Sequence, residues 1–273
     1  MEIDDTYIWK PTKIQRDNNF LLPRDIRAIV IGRSGAGKTA LITYLLLEPE
    51  ILDYNNLIVY GRSLHQPEYQ LMQAAFNKKL SKAQIKVLFQ NQNDVVNEGG
   101  IEKVIQNYDG PCKGDIDASF ETNDSAILDP KDYDTNKKNL LLLDDIMLSP
   151  QNRVEQFFTR GRHNNIDVIY IAQSYFRLPR QTIRENGNLF IFFKQCKKNL
   201  CHIYQDHCAS DGISYESFSN FCNDVWNQSH NFVVIDLTKP VNCGKYRKNF
   251  NLYWSPKYDS LVDYINSNIS ERL

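Results

Sequence analysis

Runs dense in apolar residues alternate along this chain with stretches in which apolar residues recur at helical spacing. The runs are Ile26 to Ile31, Asn56 to Tyr60 (NLIVY), Ile85 to Phe89 (IKVLF), Leu140 to Leu143, Asp167 to Ala172 (DVIYIA), Asn188 to Phe193 (NLFIFF) and Asn231 to Leu237 (NFVVIDL). Apolar stretches without alternation read as strands covered on both faces, as in parallel sheets. Helical spacing marks Lys38 to Leu47, which stops before Pro49; residues 67–79, through Tyr69, Met72, Ala75 and Phe76; a stretch near 99–108; and Val154, Phe157 and Phe158. The expected class is α/β, with a mainly parallel central sheet. From Asp109 to Asp134 the rhythm lapses, with 8 acidic residues against 2 lysines. That segment reads as an exposed insertion outside the sheet.

The chemistry begins where the first run ends. Gly32, Arg33, Ser34, Gly35, Ala36, Gly37, Lys38 and Thr39 complete the pattern G-x-x-x-x-G-K-[ST] between a strand and a helix. The helix start directs unpaired amides at an anion, and the glycines let backbone approach phosphate oxygens. Lys38 would meet the β- and γ-phosphates of a nucleotide, and the Thr39 hydroxyl would ligate Mg²⁺.

A second centre closes the four-leucine run. Asp144 is a candidate Mg²⁺ ligand, and Asp145 either positions the attacking water and takes its proton or caps the following turn. At least one strand lies between the glycine loop and this pair in the sequence. Downstream, VEQFFTRGRHNN presents Arg160, Arg162 and His163 after a buried helical face. These form either a solvated basic turn or a source of an arginine that reaches phosphates bound by a neighbouring subunit. Gln173 follows the next strand, either as a γ-phosphate sensor or in an ordinary strand-end hydrogen bond.

Composition narrows the setting. The 273 residues carry a net charge of -1 with 42% hydrophobic content, ordinary values for a soluble protein that leave room for a local basic surface. Six cysteines lack the dense spacing of a disulfide scaffold, so a reducing environment is the simpler account. The chain has no run of 18 apolar residues, and MEIDDTYIWK is not a secretory signal, so no membrane-spanning segment is expected.

Taken in order, GRSGAGKT, LLLLDD, FFTRGRHNN, VIYIAQSYF and TIRENGN closely resemble the genome-packaging ATPases of large eukaryotic DNA viruses, poxviruses among them, and their virophage and transposon-like relatives in the FtsK/HerA superfamily. The resemblance is strongest over residues 26–195. It implies a RecA-like P-loop core, ATP and Mg²⁺ as cofactors, a ring-shaped homo-oligomer, double-stranded DNA as cargo, and capsid or virion assembly components as partners. It also implies a place in the host cytoplasm, a viral factory or the virion. Lys38 and Thr39 match the Walker A positions, Asp144 and Asp145 the Walker B pair, and Gln173 the polar sensor. Arg160 or Arg162 matches the arginine finger. Cellular members usually carry glutamate where this chain has Asp145. Arg184 and Glu185 are placed to link nucleotide state to neighbouring subunits or DNA, or else to form a local salt bridge. The rival functions are a helicase or recombination ATPase and a nucleotide-controlled assembly factor.

The expected organisation is an arm over residues 1–25, an ATPase core over 26–238 with a polar insertion at about 109–137, and a basic-aromatic extension over 239–273. In the extension Lys239, Lys245, Arg247, Lys248 and Lys257 interleave with Tyr246, Phe250, Tyr253 and Trp254, suiting contact with a phosphate backbone while the aromatics pack against the core, or else a solvated edge strand or a subunit contact. Cys196, Cys201, His202, His207 and Cys208 raise zinc as a question, although their spacing fits structural residues better.

Overall fold

The computed structural model describes residues 21–90, 100, 103, 105, 108–123 and 126–254. The chain divides into two compact units, Thr39–Tyr170 and the combination of Met1–Lys38 with Ile171–Leu273.

In the unit Thr39–Tyr170 the strands are β2 (Asn56–Gly61), β3 (Asp117–Glu121), β4 (Asn139–Asp144) and the first residues of β5 (Ile166–Ala172). Their order is β3-β2-β4-β5. β2 runs parallel to both β3 and β4, with Gly61 opposite Asp144. Every residue of β4 is buried. Its four leucines contribute roughly 6 to 12 kcal/mol of gross apolar burial, an upper bound because a compact unfolded chain already hides part of that surface. The helices are α1 (Lys38–Leu47), α2 (Pro67–Asn77), α3 (Lys82–Gln90) and α4 (Asn152–Arg160). Val154, Phe157 and Phe158 form the buried face of α4, where Phe157 meets Tyr133 edge-on at 5.8 Å.

In the other unit β1 (Arg27–Ile31), β6 (Leu189–Phe192), β7 (Val233–Asp236), β8 (Tyr246–Lys248) and β9 (Leu252–Trp254) follow the order β1-β6-β7-β8-β9. β1 and β6 are parallel, and the remaining pairs are antiparallel. The amide of Gly32, just past β1, donates to the carbonyl of Ala172 at the end of β5 (3.2 Å). Thus Ile171 and Ala172, the end of β5 that belongs to this unit, adjoin the glycine loop. Helices α5 (Lys197–His207) and α6 (Tyr215–Trp226) complete this unit, with Phe221 stacked on Trp254 at 4.4 Å. The α/β class with a mostly parallel sheet is the one the sequence predicts.

Three local expectations fail. Residues 85–89 belong to α3 rather than to a strand. Ser81 and Gln84 form a capping box, Gln84 Oε1 accepting from the Ser81 amide at 2.8 Å and the Gln84 amide donating to Ser81 Oγ at 3.4 Å. Ile85 is the buried residue of that helix, while the Lys82 ammonium lies over the Tyr54 ring, 3.9 Å from its centroid. The acidic segment is not wholly outside the sheet, since Asp117–Glu121 forms β3. Its alternating exposure gives it no apolar run to betray it.

The basic-aromatic segment also differs from a solvent-facing patch. Arg247 is buried against Asp236 at 2.8 Å, and Lys245 is buried against Asp211 at 2.5 Å. Tyr246, Phe250 and Trp254 pack into the core, as the sequence reading has them; it is the two charges that differ. An unpaired buried charge would be far costlier than these compensated ones. Residues 1–20, most of 99–108, and 255–273 with Lys257 lie outside the described residues.

Candidate nucleotide site

The glycine loop is shaped by torsion at two positions and by space at a third. Gly35 and Gly37 have φ of +74° and +98°, a region unfavourable to side chains. A Cβ on Gly32 would stand 2.9 Å from Phe193 Cβ, so this glycine lets the loop wrap around that ring. The Lys38 amino group folds back across the turn and donates to the carbonyls of Gly32 (2.8 Å) and Arg33 (2.9 Å). Arg33, Ser34 and Gly35 are exposed, and Ala36 to Thr39 are half-buried. A cation poised over an open, glycine-built turn at a helix start is a donor set for phosphate oxygens, so these residues fit a nucleotide polyphosphate.

The double aspartate is held in the unit Thr39–Tyr170. Asp144 is buried, and its Oδ2 accepts a hydrogen bond from Tyr69 of α2 at 2.6 Å. Burial, followed by the adjacent carboxylate, pushes the Tyr69 hydroxyl pKa far up, so it stays a donor. Gly61 is required beside this carboxylate because a Cβ there would lie 2.8 Å from the Asp144 carbonyl oxygen.

Asp145 takes φ of +54°, turning the chain sharply out of β4. Non-glycine residues in this region are uncommon, and aspartate and asparagine are several-fold enriched among them. The Ser63 hydroxyl donates to Asp145 Oδ2 at 3.4 Å. Gln151 secures the following turn through the carbonyls of Ile146 and Ser149, both at 2.8 Å, and accepts from Tyr170 at 3.1 Å. Arg62 grips Ser149 Oγ with two donors, at 3.2 and 3.0 Å. The half-buried Thr39 and the buried Asp144 are the chain's candidate Mg²⁺ ligands, a hydroxyl and a carboxylate suited to a hard cation.

Arg160 ends α4 and Arg162 lies in the following 3₁₀ turn. Both are exposed, and neither makes an ion pair among the described residues. Gln173 is exposed just past β5. Arg184 is buried in an ion pair with Asp206 at 2.8 Å and lies over the Tyr175 ring. That is the local salt bridge, enclosed. Among the described residues, no group of three or more His, Cys, Asp or Glu side chains is arranged to hold a metal, and Cys208 is buried with its thiol pKa pushed up to about 12.

Sequence reasoning missed Tyr69 as a partner of Asp144, since its helical spacing marked it only as a core position. It also missed His230, a single histidine in the turn before β7, whose Nδ1 lies 3.3 Å from the Ala36 carbonyl. That residue carries no motif.

The glycine turn between β1 and α1, in an α/β chain with a mostly parallel sheet, defines the P-loop NTPase class of fold. No family model matches the chain, and no curated protein does. Solved structures with a similar fold include the genome-packaging NTPase B204 of Sulfolobus turreted icosahedral virus 2 in complex with ATP-gammaS, at 12% identity and TM-score 0.49, covering 85% of this chain and 100% of that one. VirB4 of Thermoanaerobacter pseudethanolicus is similar at 11% identity and TM-score 0.43, over 85% and 90% of the two chains. ATPases 2 and 3 of EssC from Geobacillus thermodenitrificans are similar at 10% identity and TM-score 0.38, over 91% and 43%.

Proposed function

We propose that this chain is an ATP-hydrolysing motor that moves double-stranded DNA into a preformed viral capsid. The observation that carries the ATPase reading is the Lys38 amino group drawn across the glycine turn, within 2.9 Å of two loop carbonyls that it would exchange for phosphate oxygens. The DNA and capsid reading rests on the series of motifs from GRSGAGKT to TIRENGN.

In this reading the loop amides and Lys38 hold the β- and γ-phosphates, with Thr39 and Asp144 as ligands for Mg²⁺. When bound, the metal would neutralise charge on the phosphate oxygens. Asp145 takes a proton from water as the water oxygen bonds to the γ-phosphorus and the bond from that phosphorus to the bridging oxygen of ADP breaks. Arg160 or Arg162 of an adjacent copy stabilises the developing charge, in keeping with their exposure, and Gln173 responds to the γ-phosphate. A ring-shaped homo-oligomer supplies that adjacent copy. Capsid or virion assembly components would be the docking partners, in the host cytoplasm or viral factory. Among the described residues no helix is long and apolar enough to cross a membrane.

The test is ATP turnover against protein concentration, with and without double-stranded DNA, using Arg160→Ala and Arg162→Ala variants. Stimulation by duplex DNA is expected, together with recovered activity when the finger variant is mixed with Lys38→Ala. Turnover indifferent to DNA would sink the autonomous DNA motor.

A further inference from the structure

His230 occupies the turn between α6 and β7, is exposed, and takes φ of +63°. Non-glycine residues are uncommon in that region, although histidine is enriched among them, and the torsion persists where surrounding contacts impose it. Those contacts fall on the two residues that follow it. Asn249, itself at φ of +52°, accepts from the Phe232 amide at 3.0 Å, donates its own amide to the Phe232 carbonyl at 2.8 Å, and donates its side-chain amide to Asn231 Oδ1 at 3.1 Å. Phe232 packs on Phe193, the ring around which the glycine loop is wrapped.

The imidazole thus held meets the loop. His230 Nδ1 is 3.3 Å from the Ala36 carbonyl oxygen, and because the partner is an acceptor, Nδ1 carries the hydrogen. A Cβ on Gly37 would stand 3.1 Å from the same nitrogen, so the ring also lies against the Gly37 backbone. The peptide joining Ala36 to Gly37 is trans, and in a trans peptide the C=O and N–H point in opposite directions. Fixing the carbonyl toward His230 therefore fixes the Gly37 N–H on the opposite side of the loop.

We infer that His230 is a positioning residue of the phosphate loop, holding the Ala36–Gly37 peptide so that the Gly37 N–H is presented to a nucleotide phosphate oxygen. The inference rests on the reading of this loop as a polyphosphate site and adds to it a residue from the turn that Asn249 braces. Through that brace the turn after β8 supports the geometry of the loop.

Two substitutions separate position from bulk. His230→Gly removes the donor while suiting the positive φ, and His230→Asn returns a donor nitrogen near the place of Nδ1 in a residue that tolerates this torsion. ATPγS affinity with Mg²⁺, measured by calorimetry, is expected to fall about fivefold in His230→Gly, the loss of one ordinary hydrogen bond, and to return in His230→Asn. Amide hydrogen exchange over residues 32–38 without nucleotide is expected to quicken in the glycine variant and slow again in the asparagine variant. Wild-type affinity and exchange in His230→Gly, with binding lost in Lys38→Ala, would overturn the role of His230 and leave the phosphate loop standing. Unchanged affinity in Lys38→Ala would overturn the polyphosphate reading and this inference with it.

Discussion

The Tyr69 hydroxyl donates to Asp144 Oδ2 at 2.6 Å inside the unit Thr39–Tyr170, tying α2 to the last residue of the four-leucine strand. Both residues are buried, so the bond fixes a carboxylate that the proposed function needs for a cation. Tyr69→Phe keeps the ring and removes the donor. It should cost about 1.5 to 3 kcal/mol of stability, the range for a hydrogen bond to a charged group, read as a lower urea midpoint. The same variant should need more Mg²⁺ for half-maximal turnover.

Gly61→Ala tests the same carboxylate from the neighbouring strand. Its Cβ would come within 2.8 Å of the Asp144 carbonyl oxygen, a backbone atom that moves only with β4. A destabilisation of about 1 to 3 kcal/mol is expected from such overpacking, accompanied by reduced ATP turnover. Thermal melts and a turnover assay check it.

Asp145→Asn is the clean probe of proton transfer. Asparagine is at ease at φ of +54°, so the turn out of β4 should survive. Turnover should fall about 10²- to 10⁴-fold for loss of a general base, while ATP affinity holds. Single-turnover kinetics and equilibrium binding distinguish this from the affinity loss expected of Lys38→Ala.

DNA contact is better sought away from the buried Lys245 and Arg247. In the same unit Phe176 is half exposed, its ring lying 4.8 Å from His202 and beneath the Lys198 ammonium at 4.9 Å. Arg177 and Lys197 are exposed beside them in sequence. Phe176→Ala with Lys198→Ala should weaken DNA-stimulated turnover, most at low salt because the variant releases fewer counterions, and leave the DNA-independent rate unchanged. Salt-dependent DNA binding by fluorescence anisotropy is the direct check.

β1, β2, β4, β5, β6, β7 and the glycine loop are legible because burial on both faces requires continuous apolar runs, and because a tight phosphate turn requires glycine at fixed spacing. LLLLDD announced both β4 and its acids. What sequence could not announce was pairing across distance. Tyr69 looks like any core position on α2, and Arg247 looks like surface charge until Asp236 is seen 2.8 Å away. IKVLF reads as a strand because its apolar density resembles one, while the deciding signal, the Ser81 to Gln84 capping box, lies just upstream.

Acid should loosen the unit that holds the glycine loop. His207 is buried with Nε2 2.7 Å from the Tyr175 hydroxyl. Burial lowers its pKa to about 4 from 6.5, with Lys245 and Arg184 pushing the same way and Asp206 opposing. Between those values the unfolded chain binds the proton and the folded chain does not. Stability is therefore full above pH 6.5 and is lost as pH falls toward 4, by roughly 3 kcal/mol in all. Urea midpoints from pH 7 to 4 should show this slope, and His207→Gln should flatten it.

The positive φ of Asp145 reaches beyond the reaction it is proposed to serve. A left-handed turn at that residue favours the two short Asx side chains, so the torsion itself discriminates between two acids of equal charge. Glutamate would bring the same carboxylate on a longer stem into a backbone conformation that gives it no such welcome. A sequence pattern written around glutamate at that position would pass this chain by, for a reason written in one dihedral angle.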